Sequence, residues 1–324
     1  MPSPLLTLTD LAVQFSTRRG VLRVLDGIHL DVAPGQTVGL VGESGSGKTV
    51  LAFTLLGLLA PNARVAGRIQ LFDTDLLSLA PRERAAMRGR DIAMVFQNYR
   101  GALNPIRTIG DHLCDVLRRH AGLRGRAARH RAIELLTRVR IPDAARRFHA
   151  YPFELSGGMC QRVMIALAVS CRPKLLLADE PVTGLDVTTQ AVVMDLILEL
   201  ARDHGTAVLL VTHDLALAAE RCARIAVMHA GHIVECGPAA ALFARPRHPY
   251  TAKLLASTPA GAAHIAALPV IAGNLPDLAA ALPPCRFAAR CEFRSAACDA
   301  PNLSLAEIAP AHRLACRHPL PLTA

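Results

Sequence analysis

Apolar positions fall into short blocks whose spacing changes along the chain. Leu5 to Phe15 alternates enough for a β-strand, and Leu22 to Val32 suggests a second. Thr37 to Val41 is a short continuous apolar run, as a buried strand requires, and Val50 to Leu56 follows it as an apolar helix. Arg68 to Phe72 and Ile92 to Phe96 read as further short strands, the second ending at Gln97. From about Leu103 the period becomes helical. Ile133, Leu136 and Val139 fall on one helix face, and Pro142 ends that run. Val163 to Val169 predicts a helix, Leu175 to Ala178 a buried strand, Val192 to Leu200 a helix and Ala207 to Val211 a strand. Ile225 to Met228 starts a last hairpin. Strands alternating with helices predict an α/β fold with a mainly parallel sheet. The helical block between Leu103 and Phe153 reads as an insertion, and after Gly237 the composition shifts to Ala, Pro and Cys.

Between the strand at Thr37 to Val41 and its helix stands Gly42-Glu43-Ser44-Gly45-Ser46-Gly47-Lys48-Thr49. Glycines so placed let backbone N–H groups wrap a nucleotide's phosphates. Lys48 would reach the β/γ-phosphates and the Thr49 hydroxyl would hold Mg²⁺. The helix N-terminus adds partial positive charge. Lysine is scarce here: Lys48, Lys174 and Lys253 are the only three in an arginine-rich chain. One of them stands where a compact point charge suits phosphate.

Two further constellations bear on chemistry. The strand at Leu175 to Ala178 delivers Asp179 and Glu180 to its carboxyl end, where ligands bind in such sheets. Asp179 can hold Mg²⁺ through water, and Glu180 can polarise an attacking water. Leu155-Ser156-Gly157-Gly158-Met159-Cys160-Gln161-Arg162 opens a helix, either with a plain N-cap or with a second anion site. One ATP seldom needs two cradles so far apart. A head-to-tail dimer resolves this, with each ATP between one chain's phosphate loop and the partner's Ser-Gly-Gly turn.

Composition narrows the class. The chain has 324 residues, 52% of them hydrophobic, with a mean hydropathy of +0.30. Yet no run of 18 apolar residues occurs: Leu51 to Ala60 is too short, and Ala262 to Leu282 is broken by His264, Asn274, Asp277 and prolines. The N-terminus lacks the layout of a signal peptide. A cytoplasmic protein seated against a membrane partner is expected. The net charge is +10, and ten arginines between Arg118 and Arg147 stand against only Glu134 and Asp143. This block reads as a solvated helical face, as a surface for anionic lipid headgroups, or as a nucleic-acid patch. With 4% aromatics and no tryptophan, a base-stacking platform is not expected.

These motifs, in this order, resemble the ATP-binding-cassette ATPases from about Leu5 to Gly237. The resemblance implies a P-loop NTPase nucleotide-binding domain at 1–236, an inserted helical subdomain at about 103–165 and a C-terminal extension at 237–324. Gly42 to Thr49 is similar to the Walker A loop, Leu175 to Glu180 to Walker B and Leu155 to Arg162 to the family signature. By the resemblance, Gln97 is the Q-loop glutamine, Asp186 belongs to the D-loop and His213 is the switch histidine at the γ-phosphate. Phe15 sits where the family places an aromatic under adenine. Gly42, Glu43, Ser44, Gly45, Ser46, Gly47, Lys48, Thr49 and Asp179 would then bind nucleotide, with Mg²⁺ held through Thr49, Gln97 and Asp179. Glu180, His213 and Gln97 would be catalytic. Ser156, Gly157, Gly158 and Gln161 would meet the partner's ATP.

A finer resemblance is to ATPase subunits of peptide and nickel importers. Gln97 to Pro105 resembles their extended Q-loop, Met159 stands where most cassettes have glutamine, and Arg247-His248-Pro249-Tyr250-Thr251 looks like their tail motif. Asn98-Tyr99 departs from the usual acidic residue and proline, and Thr183-Gly184 from Thr-Ala. The resemblance implies a related second ATPase subunit forming a heterodimer, two permease subunits and an extracytoplasmic binding protein, with no nucleic acid. The chain would sit on the cytoplasmic face of the membrane and energise import of di- or oligopeptides, or of nickel or a metal chelate. A soluble cassette acting on nucleic acid or ribosomes is the rival from another class.

Nine cysteines are present, and Cys285, Cys291, Cys298 and Cys316 cluster in the tail. Their gaps of 5, 6 and 17 residues do not fit the tight knuckles of common zinc sites. Four thiolates with wider gaps suit a [4Fe–4S] cluster, with zinc or unligated thiols as the alternatives. Cys285-Arg286-Phe287-Ala288-Ala289-Arg290-Cys291 also resembles the tail of oligopeptide and dipeptide importer ATPases, some of which hold such a cluster.

Overall fold

The computed structural model describes residues 3–18, 20–258 and 269–321, and the side chains of Arg100 and Val187 are outside that description. The first elements are β1 (Leu6–Thr17), β2 (Gly20–Val32), β3 (Thr37–Val41), α1 (Lys48–Leu56), β4 (Ala63–Leu71), β5 (Thr74–Asp75), α2 (Pro81–Met87) and β6 (Ile92–Val95). Then come α3 (Tyr99–Ala102), α4 (Ile109–His120), α5 (Gly125–Arg138), α6 (Ala144–Arg147), α7 (Gly157–Val169), β7 (Leu175–Asp179) and α8 (Val187–His204). The rest is β8 (Ala207–Thr212), α9 (Leu215–Arg221), β9 (Arg224–His229), β10 (His232–Pro238), α10 (Ala239–Ala244), α11 (Pro249–Ala256), β11 (Ala306–Ala309) and β12 (His312–Leu314). The chain divides into two compact units. One holds Met1–Val32, Thr37–Leu77 and Leu210–Ala324, and the other holds Ala33–Gln36 and Ser78–Leu209.

In the first unit, β1, β2, β4 and β5 form an antiparallel sheet in the order β2-β1-β4-β5. Leu6, Leu8, Leu11 and Val13 of β1 are buried, so the alternation that predicts a strand slips once. The slip is a bulge at Asp10, whose φ is 48°. Opposite it, a side chain at Gly67 would put its Cβ 2.4 Å from Asp10 O, so glycine is required there. The strand β4 begins at Ala63, earlier than expected from Arg68, because none of its first six residues is buried. Elsewhere in this unit β3 runs parallel to β9, with Val38 beside Arg224 and Val41 beside Val227. The hairpin β9–β10 follows, and β12 pairs antiparallel with β10 through Glu235 and Leu314. The tail after Gly237 therefore adds two strands, β12 and then β11, to the sheet that holds β3.

In the second unit β6 and β7 are a parallel pair, Ile92 beside Leu175 and Val95 beside Ala178, and both are buried throughout their apolar length. Between Leu103 and Phe153 the chain forms α4, α5 and α6. Thr108 and Asp111 cap α4 reciprocally at 3.1 Å each, a capping box. Helix α4 buries Ile109, Leu113 and Leu117, and α5 buries Ala128, Ala132, Leu135 and Leu136. The chain leaves α5 at Val139, before Pro142, through Arg140 at φ 59°. Within the basic block Arg131 pairs with Glu134 (2.8 Å), Arg138 with Asp203 (2.6 Å) and Arg140 with Glu199 (2.8 Å), which offsets part of its charge. Strand β8 carries the chain from the second unit into the first. Among the described residues no helix is long and apolar enough to cross a membrane.

Candidate nucleotide site

The phosphate loop joins β3 to α1. At its entry Gly42 has φ 151°, and a Cβ there would lie 2.1 Å from Met228 O. At its exit Gly47 has φ 107° and is the N-cap of α1. Both positions exclude a side chain, which fixes the loop's path. Lys48 is 5% exposed, and its ammonium donates to Gly42 O (2.8 Å), Glu43 O (2.8 Å) and Ser46 Oγ (3.3 Å). The first turn of α1 carries no acidic residue, so its positive end is not offset there. Ser46 is buried, while Ser44, Gly45 and Thr49 are exposed. A cationic head inside a ring of glycine turns at a helix N-terminus is a site for phosphate oxygens.

Other expected residues lie in the same unit. Phe15 is half-buried in β1, opposite Leu22 and Ala63. His213 is exposed directly after β8 and lines a cleft of about 590 Å³ with Asp214, Leu215, Leu254 and Ser257. Asp214 caps α9 by accepting from Leu217 N–H at 2.9 Å.

The second unit holds the carboxylates. Strand β7 buries Asp179 at its end, and the chain turns at Glu180, whose φ of 44° is unusual for a residue with a side chain. Gln97 Nε2 donates to Glu180 Oε2 at 2.7 Å, and Thr183 Oγ1 donates to the same oxygen at 3.1 Å. Gln97 and Glu180, far apart in sequence, thus form one cluster. Thr183 was not among the expected residues. Its signal is a hydroxyl three positions after the glutamate, the spacing of a side chain folding back over a turn.

The Ser-Gly-Gly turn opens α7 as expected. Ser156 Oγ accepts from Met159 N–H at 3.4 Å. A Cβ at Gly158 would be 3.1 Å from Thr189 Cγ2, and one at Gly157 would be 2.6 Å from the Tyr99 hydroxyl. Gln161 stands apart from its neighbours: it is buried and its amide donates to Pro181 O. Asp186 is exposed and caps α8, accepting from Thr189 N–H (2.9 Å) and Thr189 Oγ1 (2.7 Å), which hold its carboxyl below the usual range. Asn98 caps the short helix α3 by accepting from Gly101 N–H at 3.0 Å, as an aspartate there could.

In the tail, Cys285 and Cys298 are buried and Cys291 and Cys316 half-buried, all as free thiols. Burial pushes the Cys285 and Cys316 thiols up to about 11, opposed by the N–H groups of Phe287 and His318 that point at their sulfurs. Cys291 is raised for the same reason, opposed by Phe293 N–H. Each of these three sulfurs also feels Cys298. Among the described residues no three His, Cys, Asp or Glu side chains are arranged to hold a metal ion.

The ABC transporter family model matches residues 25–183, and the model for the oligopeptide/dipeptide transporter C-terminal region matches residues 234–298. A putative peptide import ATP-binding protein of Brucella abortus (strain 2308) is 48% identical over 301 residues, which are 93% of this chain and 91% of that protein. The chain belongs to the ABC transporter family. It is an ABC ATPase, for which ATP and Mg²⁺ are the expected ligands. The dipeptide transport ATP-binding protein DppD of Escherichia coli (strain K12) is 42% identical over 317 residues, 98% of this chain and 97% of DppD. A dimeric ATP-binding cassette solved in a post-hydrolysis state with ADP and Pi is similar to this ABC ATPase with a TM-score of 0.65 at 27% identity. The match covers 72% of this chain and 98% of that one.

Proposed function

We propose that this ABC ATPase energises a binding-protein-dependent importer of di- and oligopeptides. The observation that carries the substrate class is that the likeness to peptide import ATP-binding proteins runs through the tail, at residues 234–298. Residues 1–236 are the cassette, about 103–165 its helical subdomain and 237–324 the extension. Phe15 would lie under adenine. Lys48 and the N–H groups of Gly42 to Thr49 would bind the phosphates, and Thr49, Gln97 and Asp179 would hold Mg²⁺. Glu180 is the base that polarises water, its carboxylate aimed by the Gln97 amide and the Thr183 hydroxyl. His213 would bind the γ-phosphate. Ser156, Gly157 and Gly158 would meet the partner subunit's ATP, and Asp186 would line the same seam. Gln161 would brace the turn at Pro181 instead of reaching nucleotide.

The partners would be a homologous second ATPase subunit, two permease subunits and an extracytoplasmic binding protein, on the cytoplasmic face of the membrane. Uptake in cells carrying the native chain or Glu180→Gln tests the reading. Labelled dipeptide, labelled oligopeptide and nickel are offered in parallel. Loss of peptide uptake alone is expected, and loss of nickel uptake alone would overturn the substrate class.

Cys285, Cys291, Cys298 and Cys316 would hold a [4Fe–4S] cluster. The four sulfurs are within electrostatic reach of one another and three are met by backbone N–H groups, but as they stand no three are arranged to hold a metal ion, so the tail would have to draw them together around the cluster. The cluster would cross-link the tail. Iron, acid-labile sulfide and a broad absorption near ~400 nm are expected after anaerobic purification, and their joint absence would refute it.

A further inference from the structure

The phosphate loop is gripped from one side by the C-terminal tail, and the grip centres on Glu43. Arg290 Nη1 and Nη2 donate to the two Glu43 carboxylate oxygens at 2.8 Å each, a bidentate pair. The Glu43 N–H donates to Tyr250 Oη at 3.0 Å. The Glu43 carbonyl accepts from Lys48 at 2.8 Å. One residue therefore connects the phosphate-binding lysine to two side chains of the tail.

Those two side chains are themselves fixed. Tyr250 is fully buried, with its ring 4.4 Å from His229 and 5.3 Å from Phe287. The Arg290 guanidinium lies 5.7 Å from the Phe287 ring and donates through Nε to Ala272 O at 2.9 Å. His229 Nδ1 is 3.6 Å from Glu43 Oε2. Further along the loop, Leu275 Cδ1 is 3.3 Å from where a Cβ would stand at Gly45. The tail thus meets the loop at its amide, its carboxylate and its exposed glycine.

We propose that Arg290 and Tyr250 are positioning residues for the phosphate loop: holding Glu43 by both carboxylate and amide, they fix the carbonyl that receives Lys48 and so set affinity for the phosphates. The proposal rests on reading the loop as the ATP site. A glycine-rich loop has more conformational freedom to lose than any other backbone. Ordering it in advance removes that cost from the binding step. Arg290 also offsets a carboxylate that would otherwise stand uncompensated beside incoming phosphate.

The test titrates MgADP, which is not consumed, into the purified full chain by calorimetry. Tyr250→Phe keeps the ring and removes one acceptor. It should weaken binding about three- to tenfold at unchanged stoichiometry, the value of roughly one hydrogen bond. Arg290→Met should weaken it about tenfold or more. If both act through Glu43, the double variant Glu43→Gln/Arg290→Met binds no more weakly than Arg290→Met alone. Misfolding lowers the stoichiometry and leaves the dissociation constant of the folded fraction alone, so the two effects separate. If Arg290→Met does not fold, Tyr250→Phe decides. Native affinity in Tyr250→Phe, or additive losses in the double variant, would overturn the proposal. Failure of the native chain to bind MgADP at all would instead overturn the nucleotide reading.

Discussion

Glu235 of β10 is wholly buried, and three donors converge on it. Its Oε1 accepts from Arg247 N–H and His312 Nε2, both at 2.8 Å, and its Oε2 accepts from His248 N–H at 2.9 Å. Burial alone would raise this carboxyl, but His312, the Thr251 hydroxyl and the Arg247 and His248 amides hold it below the usual range. It is therefore an anion, and it ties the start of α11 and the strand β12 to β10. In Glu235→Gln the shape is kept but one oxygen becomes NH₂. If the remaining oxygen faces Arg247 and His312, the NH₂ points at the His248 N–H, which loses its acceptor. A buried donor left unpaired costs about 1–3 kcal/mol, and the two surviving bonds lose their charge assistance at about 1 kcal/mol each. Allowing for relaxation, the loss is about 2–4 kcal/mol. The assay is a thermal melt by scanning fluorimetry beside limited proteolysis. At about 2–4 °C per kcal/mol the midpoint should fall by about 4–16 °C. Cleavage should appear first on the C-terminal side of Pro238. A melt within about 1 °C of native would refute the reasoning, since it would mean that Glu235 is already protonated or that its donors have other acceptors.

Glu180→Gln should lower ATP turnover by about 10²-fold or more while MgATP still binds, and a native rate in that variant would refute Glu180 as the base. Thr183→Val removes one of the two donors that aim this carboxylate. It should lower kcat several-fold with KM for ATP unchanged, and an effect on KM alone would place Thr183 in binding. Acid should loosen the tail. Asp26 is brought down to about 2 chiefly by its bond to His232, with Arg286 assisting. For Glu43 burial opposes ionisation, but Arg290 and His229 bring it to about 2, with Tyr250 also facing it. Both carboxyls lie lower in the folded chain than in the unfolded one. Their stabilisation is full above about pH 4.5 and is lost as pH falls toward about 2. The thermal midpoint should fall over that window, and less steeply in Arg290→Met. Equal slopes would show that the Glu43 pair contributes nothing.

The parts of the site made from contiguous residues were legible. A strand, a glycine loop and a lysine at a helix start are local facts, as are Asp179 and Glu180 at the end of an apolar strand. What needed coordinates was pairing at a distance. Nothing in the one-dimensional pattern joins Gln97 to Glu180 or hides Gln161 under Pro181, although both glutamines lie inside stretches the motifs had singled out. Helix α2 was missed because it buries no residue and so leaves no apolar stripe. The strands β11 and β12 were missed for a related reason, since β11 is exposed throughout and β12 is only three residues long. The tail motif around Tyr250 and the arginines between Cys285 and Cys291 were visible as residues. Their targets, Glu43 and Asp26, lie more than two hundred positions earlier.

The seven residues from Cys285 to Cys291 face two ways. The sulfurs close the stretch at either end, while inside it Arg286 reaches Asp26 at 2.6 Å and Arg290 reaches Glu43. Such a tail cannot be transplanted as a cassette-independent cap. A chimera that grafts residues 237–324 onto another ABC ATPase would carry two buried guanidinium groups with it. Unless the recipient offers acids at the places of Asp26 and Glu43, the graft brings uncompensated charge against the nucleotide loop. Those two N-terminal acids belong to the tail's fitting, and hybrid transporters would have to be cut with that in mind.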